Sequence, residues 1–266
     1  MQPQVRLSPS IQELVWFVVL MIPAYLEVSL NGVRAVKTVA SGGLGDIYLG
    51  DLVDLNLVRR NNGDSRCVIK VLKEHASSNN NKNTLTVFTQ EIAVMNYLAS
   101  HPNIAKFLGY TTVPKSIIMR FYPLSSLDAF IKNGIQGIPY QLDVVFNIMH
   151  GVGNGLRYIH TKQIAHRDLK PANILLEPMH HGSYLLRPLL TDFGISCILN
   201  PQSLAVHAFV PIQINGMSVR YAAPEQLRQF RGTNVSTDPV TVSRSDVYAF
   251  AVVVYELLTR KQPWAS

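Results

Sequence analysis

Hydrophobic and polar positions change rhythm several times along the chain. Residues 14–26, LVWFVVLMIPAYL, form the most apolar run, bracketed by Glu13 and Glu27 and interrupted by Pro23. Its 13 residues fall short of the about 20 that a helix needs to cross a bilayer. Arg6 followed by an apolar stretch has the layout of a signal-peptide n-region and h-region. Three uses stay open: a helix or strand packed on the domain, a partner or membrane-surface contact, and a cleaved leader or anchor. From Val33 short β-type runs follow, VRAVKTVAS, DIYLGDLVDL and RCVIKVL, and the Asn61-Asn62-Gly63 between the last two has hairpin chemistry. SSNNNKN, residues 77–83, reads as a polar low-complexity loop. TVFTQEIAVMNYLAS then repeats apolar residues at helical spacing, and HPN at 101–103 ends that helix. FLGYTTV and KSIIMRFY complete a set of five strands with one helix.

Beyond Tyr122 the pattern turns helical. LDAFIKN is a short helix, YQLDVVFNIMHGVGNGLRYIHTK a long amphipathic one, and SRSDVYAFAVVVYELLTR is apolar nearly all round, as a buried helix is. PLSS at 123–126 marks a hinge. The expected organisation is an extension at 1–32, a small five-stranded antiparallel β lobe at 33–122 and a larger, mostly helical lobe at 123–266, with a ligand cleft between the lobes.

With 266 residues, 47% of them hydrophobic, the chain can bury a core, which excludes general disorder. The formal charge of +7 favours anionic ligands, but there is no dense Lys/Arg run, so a nucleic-acid-binding module ranks far behind other classes. The two cysteines, Cys67 and Cys197, have neither zinc nor CxxC spacing, which argues against a disulfide scaffold and for a reducing compartment.

The candidate chemistry lies in short motifs. Ser41-Gly42-Gly43-Leu44-Gly45 joins two predicted strands, and its glycines let backbone N–H groups approach phosphate oxygens. Its strand-to-strand setting argues against the dinucleotide and Walker-type loops. Lys70 sits inside the apolar strand Val68-Ile69-Lys70, where a charge needs a partner, and Glu91 beside Ile92 and Met95 is the natural one. His166-Arg167-Asp168-Leu169-Lys170-Pro171-Ala172-Asn173 packs five polar side chains into eight positions. Asp192-Phe193-Gly194 follows a strand, and Ala223-Pro224-Glu225 closes the 34-residue segment that begins at Asp192.

In this order and spacing the motifs resemble those of the eukaryotic protein kinases, over about residues 33–266. The resemblance implies an α+β, bilobal fold and ATP- and Mg²⁺-dependent transfer of a phosphoryl group to protein substrates. It implies that Lys70, held by Glu91, contacts the phosphates, that Asp192 and Asn173 hold Mg²⁺, and that Asp168 accepts or orients the hydroxyl proton. Lys170 would neutralise the transferring group; with Ser218 it points to serine and threonine acceptors. Ser41, Gly42, Gly43 and Gly45 would cover the phosphates. Ile47, Val68 and Leu175 would sandwich adenine, Met119 would be the gatekeeper, and Arg120-Phe121-Tyr122 the hinge. Met95, Phe107, His166 and Phe193, backed by Asp246, would form a regulatory stack. Arg167 would pair with a phosphorylated activation segment, for which Ser196, Ser203, Ser218 and Tyr221 are the available hydroxyls and Ser203 is preferred.

Several positions depart from the family pattern: Ala40 and Val68 stand where glycine and alanine are usual, and Ala251 replaces a glycine of the buried helix. EPMHHGSYLLRP lengthens the connection before Asp192, and its His180-His181 reads as a solvated loop. The sequence stops after Trp264-Ala265-Ser266, so the lobe is expected to lack its last helices and Glu225 its usual arginine partner. Helix 243–260 is then expected to expose apolar surface for self-association or a covering partner. HPNIAKFLGY, PLSSLDAF and SDVYAFAVVVYELL look most like the tyrosine-kinase-like group. The expected location is the cytoplasm. The alternative class is a kinase-fold nucleotide-binding or scaffolding protein without turnover.

Overall fold

The five β-type runs assemble into one antiparallel sheet, and that sheet positions Lys70. A computed structural model describes residues 22–41, 45–73, 78–180, 182–198, 218–231 and 239–264. Strands β1 (Val33–Ser41), β2 (Gly45–Leu52), β3 (Arg66–Leu72), β4 (Phe107–Thr112) and β5 (Lys115–Arg120) lie in the order β1-β2-β3-β5-β4. β3 is central, and its register sets Lys70 opposite Ile47 on one side and Ile117 on the other.

Two local expectations need correction. The connection between β2 and β3 is not a plain hairpin: Leu55–Arg60 forms a helix, α1. Asp54 caps it by accepting from the Asn56 N–H at 2.7 Å. Asn62 (φ 59°) and Gly63 (φ 86°) then turn the chain in the left-handed region. The Asn-Asn-Gly signal thus ends a helix instead of joining two strands, and the β lobe carries two helices. The second, α2 (Ser78–Leu98), starts inside the stretch expected to be a polar loop. Once the packed turns from Phe88 to Leu98 exist, each residue added upstream gains a hydrogen bond. The low propensity of asparagine, about 0.7 kcal/mol below alanine, is a small opposing cost.

Of the apolar run 14–26, residues 22–26 are described, and they pack on the sheet. Ile22, Leu26 and Val28 are buried, and the Val28 N–H donates to the Tyr110 carbonyl at 2.7 Å. Glycine at 109 permits this approach: a Cβ there would stand 2.5 Å from Val28 Cγ2 and 2.7 Å from the Leu26 carbonyl oxygen. Among the described residues no helix is long and apolar enough to cross a membrane.

The helical lobe follows from Ser126, whose hydroxyl caps α3 (Leu127–Asn133). α4 (Leu142–Thr161) buries Val144, Ile148, Val152 and Ile159 along one stripe. Two short two-stranded antiparallel sheets carry the polar loops: β6 (Ile164–Ala165) pairs with β9 (Cys197–Ile198), and β7 (Ile174–Pro178) with β8 (Leu186–Leu190). α5 (Pro224–Phe230) and α6 (Pro239–Thr259) complete the described residues. α6 buries Ala249, Val253 and Leu257 and exposes Val247, Tyr255 and Leu258, as expected of a helix that is apolar on every side. One continuous core runs from Phe88, Ile92 and Met95 on α2 through Phe107 and Phe193 to Phe130, Ile148 and Val253.

Candidate active site

Burying an ammonium in a strand is tolerable only with opposite charge in contact, and Lys70 has two such contacts. Its Nζ donates to Glu91 Oε1 and Oε2 at 2.8 and 2.9 Å and to Asp192 Oδ1 at 2.8 Å. Burial disfavours the charge on Lys70, but Asp192 and Glu91 outweigh it and hold the amine protonated beyond its ordinary range. Asp192 is pulled the other way: the Lys70 charge brings it down to about 2 against the cost of burial. Glu91, more deeply enclosed on α2, is the member that burial pushes upward, with Lys70 opposing. One cation thus faces two carboxylates from different elements, and Asp192 keeps a firm negative charge. Its backbone is left-handed, φ 63°, a conformation that costs a non-glycine residue roughly 1 kcal/mol or more.

The second group is built on Asp246 of α6. Its side chain is 1% exposed, and its oxygens serve three donors. Oδ1 accepts from the Arg167 N–H at 2.8 Å, and Oδ2 accepts from the His166 N–H and meets His160 Nε2, each at 2.8 Å. This fixes the loop that carries Asp168. Lys170 Nζ donates to Asp168 Oδ2 at 2.7 Å and to Ser218 Oγ at 2.7 Å. Asn173 Nδ2 donates to the Asp168 carbonyl at 2.9 Å and to its Oδ2 at 3.1 Å, and the Ser218 N–H donates to Oδ1 at 3.1 Å. Of the expected residues, Lys70, Glu91 and Asp192 are brought together in one group and Asp168, Lys170, Asn173 and Ser218 in another, which divides the expected metal pair Asp192 and Asn173 between the two. Residues 166–168 and Asp192–Phe193 also touch: His166 and Phe193 ring centroids lie 5.0 Å apart, and His166 Nε2 donates to the Thr191 carbonyl at 3.0 Å. Met95 and Phe107 share the buried cluster of Phe193.

The expected adenine residues are distributed over β2, β3, β5 and β7. Val68 pairs with Met119 across β3 and β5, Ile47 with Lys70 across β2 and β3, and Leu175 packs against Tyr122, Ala105 and Leu189. Tyr122 is buried, with its hydroxyl accepting the Lys106 N–H at 3.0 Å; Phe121 lies under the Arg66 guanidinium, 5.2 Å from the ring centroid. At the base of the glycine loop Ser41 donates to Asp46 Oδ1 at 2.5 Å, and Lys73 pairs with the same oxygen at 3.0 Å. Gly45 must be a glycine, since a Cβ there would stand 2.4 Å from the Val71 carbonyl oxygen. Gly42 and Gly43 lie outside the described residues, as does Ser203. Of the other hydroxyls named above, Ser196 is buried and donates to the Phe193 carbonyl at 2.7 Å. Tyr221 donates to Glu256 Oε2 at 2.6 Å. Glu225 makes no ion pair among the described residues.

Other groups at the site carried no readable signal in the sequence. Gln90 Nε2 donates to the Ser196 carbonyl, tying α2 to the segment after Asp192. Gln226 Nε2 donates to the Arg167 carbonyl at 3.0 Å. An uncharged amide gives no clue to its partner. Glu256, a carboxylate inside the apolar helix α6, did carry a signal, because a buried charge of that kind demands a donor.

Arg167 lies against Cys197, and the cysteine thiols give a first test. Burial raises Cys67 to about 12 and Cys197 to about 11, the latter with Arg167 pulling slightly down. Both thiols are free. A thiol-disulfide reagent at pH 8 is expected to react with the native chain at least about 100-fold more slowly than with the denatured chain, in which both cysteines titrate normally. Rapid labelling of either in the native state would show that its strand opens readily.

The protein kinase domain family matches residues 42–266. The chain is 32% identical over 248 residues to a probable receptor-like serine/threonine-protein kinase of Arabidopsis thaliana, covering 90% of this chain and 37% of that protein. It is 29% identical to a cysteine-rich receptor-like protein kinase of the same plant, covering 91% of this chain and 62% of that one. It is 31% identical to a probable serine/threonine-protein kinase of Lactococcus lactis, covering 87% and 32%. The chain spans less than two thirds of the length of each of these relatives.

Proposed function

The chain belongs to the protein kinase family, and from that premise we propose that it transfers the γ-phosphoryl group of ATP to serine and threonine hydroxyls of protein substrates in the cytoplasm. The observation that supports this most is the pairing of two charged clusters where the β lobe meets the helical lobe. Lys70, Glu91 and Asp192 are arranged for polyphosphate, and Asp168, Lys170, Asn173 and Ser218 for the acceptor.

The donor set suits a hard divalent cation. Asp192 is ionised, and its Oδ2 makes no hydrogen bond among the described residues. Asn173 donates from its Nδ2 to Asp168, and among the described residues its Oδ1 makes no hydrogen bond, which leaves it as an oxygen ligand. Oxygen donors of this kind fit Mg²⁺; when bound, it supplies charge neutralisation of the phosphates. The protein's own residues do the rest. Lys70, kept cationic and immobile by its two carboxylates, orients phosphate oxygens. Asp168 Oδ1, which receives one N–H where Oδ2 receives two donors, is free to orient the hydroxyl and take its proton. Lys170 stands beside that carboxylate and offsets charge on the group in flight. Little covalent chemistry is needed, so positioning and electrostatics suffice.

The test is labelled phosphate incorporation into a generic protein acceptor with Mg·ATP, followed by phosphoamino-acid analysis. Phosphoserine and phosphothreonine are expected, and no incorporation by Asp192→Asn. Predominant phosphotyrosine would overturn the acceptor assignment, and equal incorporation by both proteins would overturn the site.

A further inference from the structure

We infer that Gln226 is a positioning residue that sets the orientation of Asp168 by fixing the peptide plane between Arg167 and Asp168, so that docking of α5 onto the loop is a condition for phosphoryl transfer. This rests on the reading of Asp168 as the carboxylate that orients the acceptor hydroxyl.

The Arg167 carbonyl and the Asp168 N–H belong to one rigid plane. Gln226, 6% exposed, donates from Nε2 to that carbonyl at 3.0 Å while its Oε1 accepts the Ala223 N–H at 3.0 Å. The amide has one workable orientation, because a flip would set NH₂ against an N–H and oxygen against a carbonyl. The other edge of the plane is held as well. His166 Nε2 donates to the Thr191 carbonyl, so its Nδ1 is left as the acceptor facing the Asp168 N–H, at 3.4 Å. Arg167 itself is left-handed, φ 68°, and a non-glycine residue stays there only when its surroundings hold it. Its N–H is held by Asp246 and its carbonyl by Gln226. Without Gln226 the carbonyl has no other donor among the described residues, and the plane can rotate toward a relaxed φ. The Asp168 carboxylate would swing with it, away from Lys170 and the Ser218 N–H. α5 and Ser218 thus grip the loop at two points, one behind Asp168 and one in front.

Two variants test this. Gln226→Met keeps the volume and removes both hydrogen bonds. Per folded molecule, kcat is expected to fall about 10- to 100-fold while KM for ATP changes less than about twofold, since Lys70 and Asp192 are untouched. Amide hydrogen exchange in residues 166–173 is expected to accelerate relative to the rest of the lobe. Gln226→Glu keeps the acceptor and replaces the donor by a carboxylate at high pH. Its kcat deficit relative to wild type is expected to shrink as pH falls from 8 to 6, as the enclosed carboxyl regains a proton to donate. A wild-type kcat in Gln226→Met, or unchanged exchange at 166–173, would overturn the inference. If Gln226→Met does not fold, a pH-independent deficit in Gln226→Glu would do so. A wild-type chain that transfers no phosphate would defeat the functional reading alone, and the exchange data would still decide the positioning role.

Discussion

Replacing Lys70 by methionine is expected to lower phosphoryl transfer by at least about 100-fold, because a positioned charge of this kind is worth about 3 kcal/mol or more in the transition state. ATP affinity should change less, since the residues proposed to hold adenine, Ile47, Val68 and Leu175, are untouched. The variant also carries a stability signature. Glu91, 1% exposed, loses the ammonium that holds its charge inside the fold, and leaving a buried charge unpaired costs about 3–5 kcal/mol. Burial already raises Glu91, and without Lys70 it is raised further. A carboxyl whose folded pKa exceeds its unfolded value favours the fold at low pH and disfavours it as pH rises through the folded value. The deficit in unfolding free energy against wild type should therefore narrow between pH 8 and pH 5. Adding Glu91→Leu to Lys70→Met should restore part of the stability and none of the transfer. Urea unfolding and single-turnover kinetics on the two variants separate these effects; undiminished transfer by Lys70→Met would remove it from the site.

Asp246→Ala is expected to produce the largest loss of stability outside the apolar core. Two buried backbone N–H groups, of His166 and Arg167, and the His160 ring lose their common acceptor. Each stranded donor costs about 1–3 kcal/mol, for a total of at least about 3 kcal/mol. That is a large share of the 5–15 kcal/mol typical of a whole domain, and it corresponds to a fall in Tm of roughly 10 °C or more in a chain of this size. Asp246→Asn should lose less, because one oxygen remains to accept. The check is thermal and urea unfolding of both variants with phosphoryl transfer measured at a temperature where each is folded. An Asp246→Ala chain within about 1 kcal/mol of wild type would mean that water or another group replaces the carboxylate.

The charged part of the site was legible because charge in an apolar or crowded setting has few explanations. Lys70 in Val68-Ile69-Lys70 demanded a partner, and Glu91 next to Ile92 is the expected one, whereas the density of Asp168, Lys170 and Asn173 in eight residues marked a site without giving the bonds they make to one another. Five strands and the three long helices, the start of α2 excepted, were legible from the apolar pattern. Two features were not. LNLVRR is too short for a helical period to stand out, so the turn residues after it read as a hairpin although they close α1. The asparagine-rich start of α2 reads as loop because its helicity comes from the packed turns downstream. Gln226 and Gln90 stayed hidden for a third reason: an amide can face almost anything, and only the fold brings Arg167 and Ser196 to them.

The segment lying over Gly109 also bears on how the sheet meets other molecules. In the order β1-β2-β3-β5-β4, strand β4 is terminal, and a terminal strand offers unpaired backbone groups to any passing extended chain. Here Glu27 bridges Tyr110 in parallel, the Val28 N–H occupies the Tyr110 carbonyl, and Thr112 Oγ1 donates to Glu27 Oε1 at 3.0 Å. Residues 26–28 behave as a fragment of a sixth strand that occupies this border with the protein's own backbone. A chain cut between Val28 and Val33 would keep all five strands and present β4 bare. Its first failure would be edge-to-edge aggregation and not loss of the active-site geometry.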